Sequence, residues 1–141
     1  MKFFSAFTFF IFLSFAAFHC KESAVVDPRD LLAGSYEMVQ VCDDQPSDTL
    51  GYQVMLSKSN DFPNRMIADN FGGYGVGNFV FIEVAQDQTF VLFSQEISVG
   101  LLGNATVEGT GNWQENVLLF NFNVFISGIV DTQCQSQGFK L

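Results

Sequence analysis

The sequence predicts an all-β protein, an antiparallel eight-stranded up-and-down barrel or half-barrel, with a two-sheet β-sandwich as the alternative. After residue 30, short apolar segments are separated by turn-forming Gly, Asn, Asp and Ser about every ten residues, which is typical of all-β domains. No window in this region carries a sustained helical period. Polar residues at 86–88 and 114–116 predict tight hairpins, so successive strands should lie side by side.

The clearest strand pattern lies near the end of the chain. In this strand, apolar Phe120, Phe122 and Val124 alternate with Asn121 and Asn123, which gives one apolar face and one solvent-exposed face. The same reasoning, applied from residue 31 onward, defines a single domain over residues 31–141. The predicted strands span 33–42, 50–58, 64–70, 78–85, 89–94, 104–111, 116–126 and 131–140.

The fourth predicted strand is apolar on both faces. Val80, Ile82 and Val84 share one face, whereas Phe79 and Phe81 occupy the other. Apolar residues on an outer face indicate a covering group. We expect a loop or the lead-in segment to pack there, and a partner contact or a ligand-facing wall is the alternative.

The composition excludes several classes of function. The formal net charge is −9 over 141 residues, which disfavours binding to nucleic acid because phosphate groups would be repelled. The only histidine, His19, lies in the predicted leader. A mature chain without histidine has neither a Ser–His–Asp nor a Cys–His catalytic arrangement, and no His-ligated zinc site.

The first 19 residues have the pattern of an export signal. Lys2 precedes an apolar run from Phe3 to Phe18, which is short for a membrane-spanning helix. The run ends at His19-Cys20, and an apolar run ending at Cys resembles a bacterial lipoprotein signal, in which the Cys carries the lipid. Lipoprotein signals usually have a small residue directly before the Cys, and His19 is not small. The alternatives are therefore ordinary cleavage that leaves a free Cys20, or an uncleaved anchor. Residues 20–30 then form the lipidated Cys and a tether, or a short helical lead-in that plugs one barrel end.

Two cysteines remain, Cys42 and Cys134. An even pair in an exported protein predicts a disulfide, with two buried free thiols as the alternative. Cys42 ends the first predicted strand and Cys134 lies in the last. The first and last strands of a closed meander meet, so a bridge would fasten the seam of the barrel.

Other chemistry-bearing groups lack a defining motif. The glycine-rich segment 72–77 is followed by a strand rather than a helix, so a strand connection is favoured over a phosphate loop. The aspartates after the first strand lack the EF-hand spacing and predict a solvated acidic turn rather than a calcium site. We expect Trp113 to cap a barrel end rather than to stack on a sugar, and the strand glutamates to point outward rather than form an acid–base pair. These acidic residues are Asp43, Asp44, Asp48, Glu37, Glu83, Glu96 and Glu108.

Short motifs through most of the mature chain add a resemblance. They are DPRD, AGSY, VMLSKSN, IADNF, FSQ and VEGTG, at 27–30, 33–36, 54–60, 67–71, 93–95 and 107–111. Together they resemble a family of small bacterial lipoproteins with a lipocalin-like (calycin-type) β-barrel, which also places one cysteine early and one late. The resemblance implies the fold and an envelope location, and it transfers no catalytic residue because the family has no established activity.

The sequence therefore predicts a protein anchored by lipid on Cys20 in the cell envelope, at the bacterial outer membrane. Its barrel is expected to be a non-enzymatic binding domain for a small apolar ligand, with no cofactor and no metal. The alternative is an envelope structural or inhibitor protein that acts through protein–protein contact. A hydrolase using two carboxylates is a more distant third interpretation.

Overall fold

The computed structural model describes residues 26–127 and 130–141. The predicted leader 1–19 and the proposed lipid site Cys20 therefore lie outside the described residues. One short helix, α1, precedes eight strands, and two short 3-10 turns at Phe71–Gly73 and Gly100–Leu102 lie between strands. The elements are α1 (Pro28–Leu32), β1 (Gly34–Cys42), β2 (Gln45–Lys58), β3 (Arg65–Asp69), β4 (Phe79–Val84), β5 (Thr89–Ser98), β6 (Asn104–Gln114), β7 (Val117–Ile126) and β8 (Val130–Lys140).

The strands form a closed antiparallel barrel in sequence order. Each strand pairs with the next, and β8 returns to pair with β1 over Tyr36↔Lys140 to Cys42↔Cys134. The predicted all-β, up-and-down architecture is confirmed, and the half-barrel and the two-sheet sandwich are not formed. Closure gives each strand a neighbour on both sides over part or all of its length, which removes most of the exposed edge that would otherwise invite aggregation.

Three strands extend by three or more residues further than the sequence predicts, and one of them is β6, which continues to Gln114 rather than 111. β2 begins at Gln45 rather than at 50, because the turn after β1 needs only Asp43 and Asp44. β3 pairs with only the last part of β2, from Met55 onward, so the first part has a free edge where Pro46 is tolerated. β5 continues to Ser98 rather than 94, because a register shift after Leu92 lets it stay paired with β6.

Aromatic side chains fill the barrel interior. Phe71, which follows β3, enters the barrel with its ring 5.3 Å from the Phe120 ring and 4.7 Å from the Phe122 ring. Phe90 continues the cluster 4.7 Å from Phe120 and stacks on Trp113 at 6.4 Å. Trp113 is buried beside the β6–β7 turn, so it packs inside the barrel end rather than forming an exposed platform.

Close approach of β6 and β7 depends on glycine. A Cβ atom at Gly111 would overlap the Leu119 carbonyl oxygen and the Phe90 ring, and one at Gly109 would overlap the Asn121 carbonyl oxygen. A larger residue at Gly109 or Gly111 would push β6 and β7 apart, because the atoms it would meet include backbone carbonyl oxygens of β7. The Phe90 ring occupies the space that Gly111 leaves.

The two ends of the barrel differ. One end, here called the α1 end, carries α1 and the connections 59–64, 85–88 and 115–116. The other, here called the mouth, carries the 43–44 turn and the connections 70–78 and 99–103. The hairpins predicted at 86–88 and 114–116 both lie at the α1 end and join neighbouring strands as expected.

Helix α1 closes its end of the barrel. Asp27 caps the helix by accepting a hydrogen bond from the Arg29 backbone N–H at 2.9 Å, and Pro28 occupies the first turn. The Arg29 side chain also bonds the Asp27 carboxylate, which holds the pKa of Asp27 well below its usual range. Leu32 is fully buried against the core. Of the two sequence interpretations of this segment, the helical lead-in is correct for residues 28–32.

The outer face of β4 is open. Phe79 and Phe81 are 53% and 38% exposed, so the expectation that a loop or the lead-in segment covers them is wrong for the described residues. β4 pairs with β5 only from Ile82 onward, because the β5 register shift separates the two strands toward the mouth. The Gln95 side-chain amide bridges this gap, accepting from the Phe81 N–H at 2.8 Å and donating to its carbonyl at 2.9 Å.

Candidate functional site

A cleft of about 700 Å³ opens at the barrel mouth. Its volume lies within the range of small-molecule sites, whereas the interior below it is packed with rings. Phe71 lies below the cleft, because it contacts Phe120 and Phe122, whereas Val124 and Ile126 at the mouth end of β7 line the cleft. The lining also includes Gln40, Cys42, Asp44, Gln45, Ser47, Asp48, Thr49, Leu50, Tyr74, Leu102, Thr132 and Cys134.

The walls of the cleft come from opposite sides of the barrel. The first part of β2, Gln45–Leu50, rises beyond β3 and provides one wall. The last part of β7 and the first part of β8 provide the facing wall, with Val124, Ile126 and Thr132. The half-buried side chain of Tyr74 comes from the glycine-rich connection. Most of the lining side chains therefore project from paired strands, whose backbone positions are fixed by the sheet.

A buried hydrogen-bond network lies at the inner end of the cleft. The Ser136 hydroxyl donates to Gln40 Oε1 at 3.1 Å, and Tyr52 Oη lies 3.1 Å from Ser136 Oγ. Since the one Ser136 proton goes to Gln40, Tyr52 is the donor to Ser136. Gln40 Nε2 donates to Cys42 Sγ at 3.4 Å. Gln40 and Ser136 are 4% and 3% exposed, so this polar group is held rigidly within an otherwise apolar barrel.

The rim of the mouth is acidic. Asp44 Oδ1 accepts from the Thr132 hydroxyl at 3.0 Å, and Asp48 lines the same cleft. Burial raises the pKa of Tyr74, and the nearby Asp44 carboxylate adds to that shift. Every Lys and Arg among the described residues lies at the α1 end, at positions 29, 58, 65 and 140. The cleft therefore offers carboxylates without a compensating cation from the described chain.

The other predicted acidic groups do not converge. The structure does not bring Glu37, Glu96 and Glu108 into the cleft; they are exposed on three different strands. Glu83 is half-buried and lies 3.6 Å from Arg65 at the α1 end. Within the described ranges, no group of three or more His, Cys, Asp or Glu side chains is placed to hold a metal ion. The acidic residues 43 and 44 form the turn itself, as the sequence predicts.

The glycine-rich segment is a strand connection, as expected. Gly72, Gly73, Gly75 and Gly77 all have positive φ, a conformation that favours glycine, and β4 follows without a helix. The Asn70 side chain fixes the loop, since Oδ1 accepts from the Gly75 N–H at 2.8 Å and Nδ2 donates to the Gln53 carbonyl at 2.7 Å. This bonding holds Tyr74 beside the cleft and Phe71 inside the barrel.

The predicted disulfide is confirmed. Cys42 and Cys134 are bonded across the β1–β8 seam, where they are direct register partners. The bridge closes a sequence separation of 92 residues. Both cysteines also line the cleft, so the covalent seam is part of the candidate site.

Sequence reasoning missed two parts of the site. Gln40 follows Tyr36 and Met38 on the inward face of β1, and Ser136 follows Cys134 on that of β8. The signal that could have revealed them is a polar residue at an inward-facing strand position where the neighbouring inward residues are apolar. The entry of Phe71 into the barrel had no such signal, because the residue lies outside the strands.

Comparison with known proteins supports the fold. The chain is similar to a solved structure of a redesigned β-barrel, with a TM-score of 0.55 and 15% sequence identity over 84% of this chain and 99% of that chain. No protein-family model matches the chain, and no curated protein matches its sequence. A likeness at this identity shows the barrel architecture alone. Among the described residues, none of the helices has the length and apolar character needed to cross a membrane.

The buried phenol of Tyr52 predicts a loss of stability at alkaline pH. Burial raises the pKa of Tyr52 to about 12, whereas an unfolded tyrosine ionises near pH 10. Between these values the unfolded chain binds fewer protons than the folded one, so the free energy of unfolding falls as pH rises. The full loss is roughly 2–3 kcal/mol. Denaturant unfolding of wild type and Tyr52→Phe across this range measures it, and the variant should lose less stability; equal pH slopes would contradict the assignment.

Proposed function

We propose that this protein is a non-catalytic binding protein of the cell envelope, anchored by lipid on Cys20, that takes a small ligand in the mouth cleft. The observation that carries the proposal is the position of the cleft. It opens above a barrel already filled by aromatic rings, and Gln40, one member of the buried Gln40–Ser136–Tyr52 network, lines it. A filled barrel leaves the mouth as the site for a ligand.

The lining indicates the character of the ligand. Leu50, Leu102, Val124 and Ile126 suit an apolar body. The polar side chains of the rim, Asp44, Ser47, Asp48 and Thr49, suit a polar end. The carboxylates of the rim disfavour an anionic end. The preferred ligand is therefore a small amphiphile with a neutral or cationic head, which refines the simpler expectation of an apolar ligand.

Three probes with one chain length test this preference. Octyltrimethylammonium, octanol and octanoate share an apolar body and differ in head-group charge. We expect the cation to bind most tightly and octanoate most weakly, because the head group meets Asp44 and Asp48. Replacing both carboxylates, in Asp44→Asn with Asp48→Asn, should weaken cation binding by roughly threefold to tenfold and leave octanol binding unchanged. Isothermal titration calorimetry measures all three affinities.

The matched control carries two charge removals at the other end of the barrel. Asp61→Asn with Glu115→Gln makes the same change in net charge, at exposed sites of the α1 end. It should leave the affinity for the cation within error of wild type. Equal loss in both double variants would show a general charge effect, and no binding of any probe would refute a small-amphiphile site.

Contact with another envelope protein is the second candidate function. Three apolar side chains of the mouth connections are exposed, Val76 at 86%, Leu102 at 54% and Leu101 completely. An exposed apolar cluster beside a cleft is also a feature of protein-binding surfaces. In that case, Val76→Ser with Leu101→Ser would abolish capture of a partner while leaving the affinity for octanol unchanged.

A further inference from the structure

We propose that the α1 end of the barrel lies against the membrane surface and that the mouth faces away from it. This inference rests on the proposed anchoring through Cys20. It adds the orientation of the domain and the face that contacts lipid. It also specifies that ligand enters the cleft from the aqueous compartment rather than from the lipid leaflet.

The short segment before the domain limits where the anchor can lie. Cys20 precedes Val26, the first described residue, by six residues, and six extended residues span at most about 20 Å. An 11-residue strand such as β8, tilted as barrel strands are, rises roughly 25–30 Å along the barrel axis. Lipid on Cys20 therefore cannot reach a membrane at the mouth while the chain enters at the α1 end.

The entry point of the chain is fixed to the barrel. Leu32 is fully buried, and its carbonyl accepts a hydrogen bond from Tyr36 Oη at 2.9 Å. Lys140 Nζ donates to the Leu31 carbonyl at 2.7 Å, which ties the helix to the last strand. Lys58 pairs with both Asp27 and Asp30. Because these contacts hold α1 in place, a lipid anchor would act on the α1 end directly.

The surface chemistry of the two ends agrees with this orientation. At the α1 end, Arg29 and Lys58 pair with Asp27 and Asp30, Arg65 lies beside Glu83, and Lys140 bonds the Leu31 carbonyl. The carboxylates Asp61, Asp87 and Glu115 also lie at this end. Exposed apolar side chains accompany them at Val26, Leu31, Phe62 and Leu141. Exposed apolar side chains can insert at a lipid surface, and the cations of the α1 end make its repulsion by anionic lipid weaker than that of the mouth. The mouth has no described cation and would be repelled through Asp43, Asp44, Asp48, Asp69 and Asp131.

Single tryptophans can report which end contacts lipid. The full lipidated chain is placed in vesicles of phosphatidylethanolamine and phosphatidylglycerol with brominated acyl chains, which quench nearby indole groups. Trp113 is the only native tryptophan, so Trp113→Phe supplies the background. Leu31→Trp places a probe at the α1 end, and Leu101→Trp places one at the mouth. Where Trp113→Phe disturbs folding, the fluorescence of the parent chain is subtracted instead.

The expected result is loss of most of the Leu31→Trp fluorescence and none of the Leu101→Trp fluorescence. Quenching of the mouth probe alone, or of both probes equally, would overturn the orientation and leave the anchoring intact. The mass of the amino-terminal peptide tests the anchoring separately. An unmodified Cys20 would refute the anchoring and the orientation together, and Cys20→Ser, which cannot carry the lipid, should stay in solution with neither probe quenched.

Discussion

Replacing Phe71 by alanine is expected to lower the free energy of unfolding by about 3–5 kcal/mol. The ring is 1% exposed and packs against Phe120 and Phe122, although the residue belongs to a connection rather than a strand. Removing it would leave a cavity in the middle of the barrel, because strand backbones around it cannot collapse inward. Urea unfolding followed by circular dichroism measures the change.

Val76→Ala provides the matched control for Phe71→Ala. Val76 lies in the same connection and is 86% exposed, so its truncation should change stability by less than about 0.5 kcal/mol. The Phe71 variant should also open a cavity below the mouth cleft, because the ring packs against Phe120 and Phe122 there. A stability loss no larger than that of the control would contradict the placement of Phe71 in the barrel.

Removing the disulfide should have an effect of similar size. Cys42→Ala with Cys134→Ala is expected to lower the free energy of unfolding by about 3–5 kcal/mol, because the bridge restricts a loop of 92 residues in the unfolded chain. The change should be seen first at the mouth, where the bridge joins β1 to β8. Urea unfolding with hydrogen exchange at the β1 and β8 amides measures the global and the local effect.

Reduction of the wild-type chain separates the bridge from the packing of its side chains. Wild type in reductant should lose about as much stability as the double variant does. The double variant itself should be unaffected by reductant, because it has no bridge. A stability loss under about 1 kcal/mol on reduction would contradict the role of the disulfide in holding β1 to β8.

The strands and the disulfide could be predicted because their causes are local. Alternation such as Phe120, Phe122 and Val124 against Asn121 and Asn123 reports which face of a strand is buried, whatever the strand packs against. The pairing of Cys42 with Cys134 then followed from sequential strand order and closure, since closure brings the first and last strands together. The short polar hairpins supplied that order.

The candidate site depends on features that sequence patterns do not encode. Phe71 enters the barrel because the Asn70 side chain and the positive-φ glycines turn the chain inward, and no periodicity reports such a turn. The wall formed by Gln45–Leu50 exists because β2 extends beyond the end of β3. How far it extends depends on the pairing register of the two strands rather than on composition. Hydrogen bonding within a loop and the register of two strands therefore decide these features.

Native mass spectrometry of the protein, extracted in mild detergent from the membranes of cells that express it, can show whether the mouth binds a small molecule. We expect a lipid-modified chain that carries a small-molecule adduct. The adduct should be lost when Thr132→Phe fills the mouth cleft and retained when Gln137→Phe alters the outer face of the same strand. A chain that carries no small molecule, or an adduct retained equally by both variants, would contradict a binding site at the mouth.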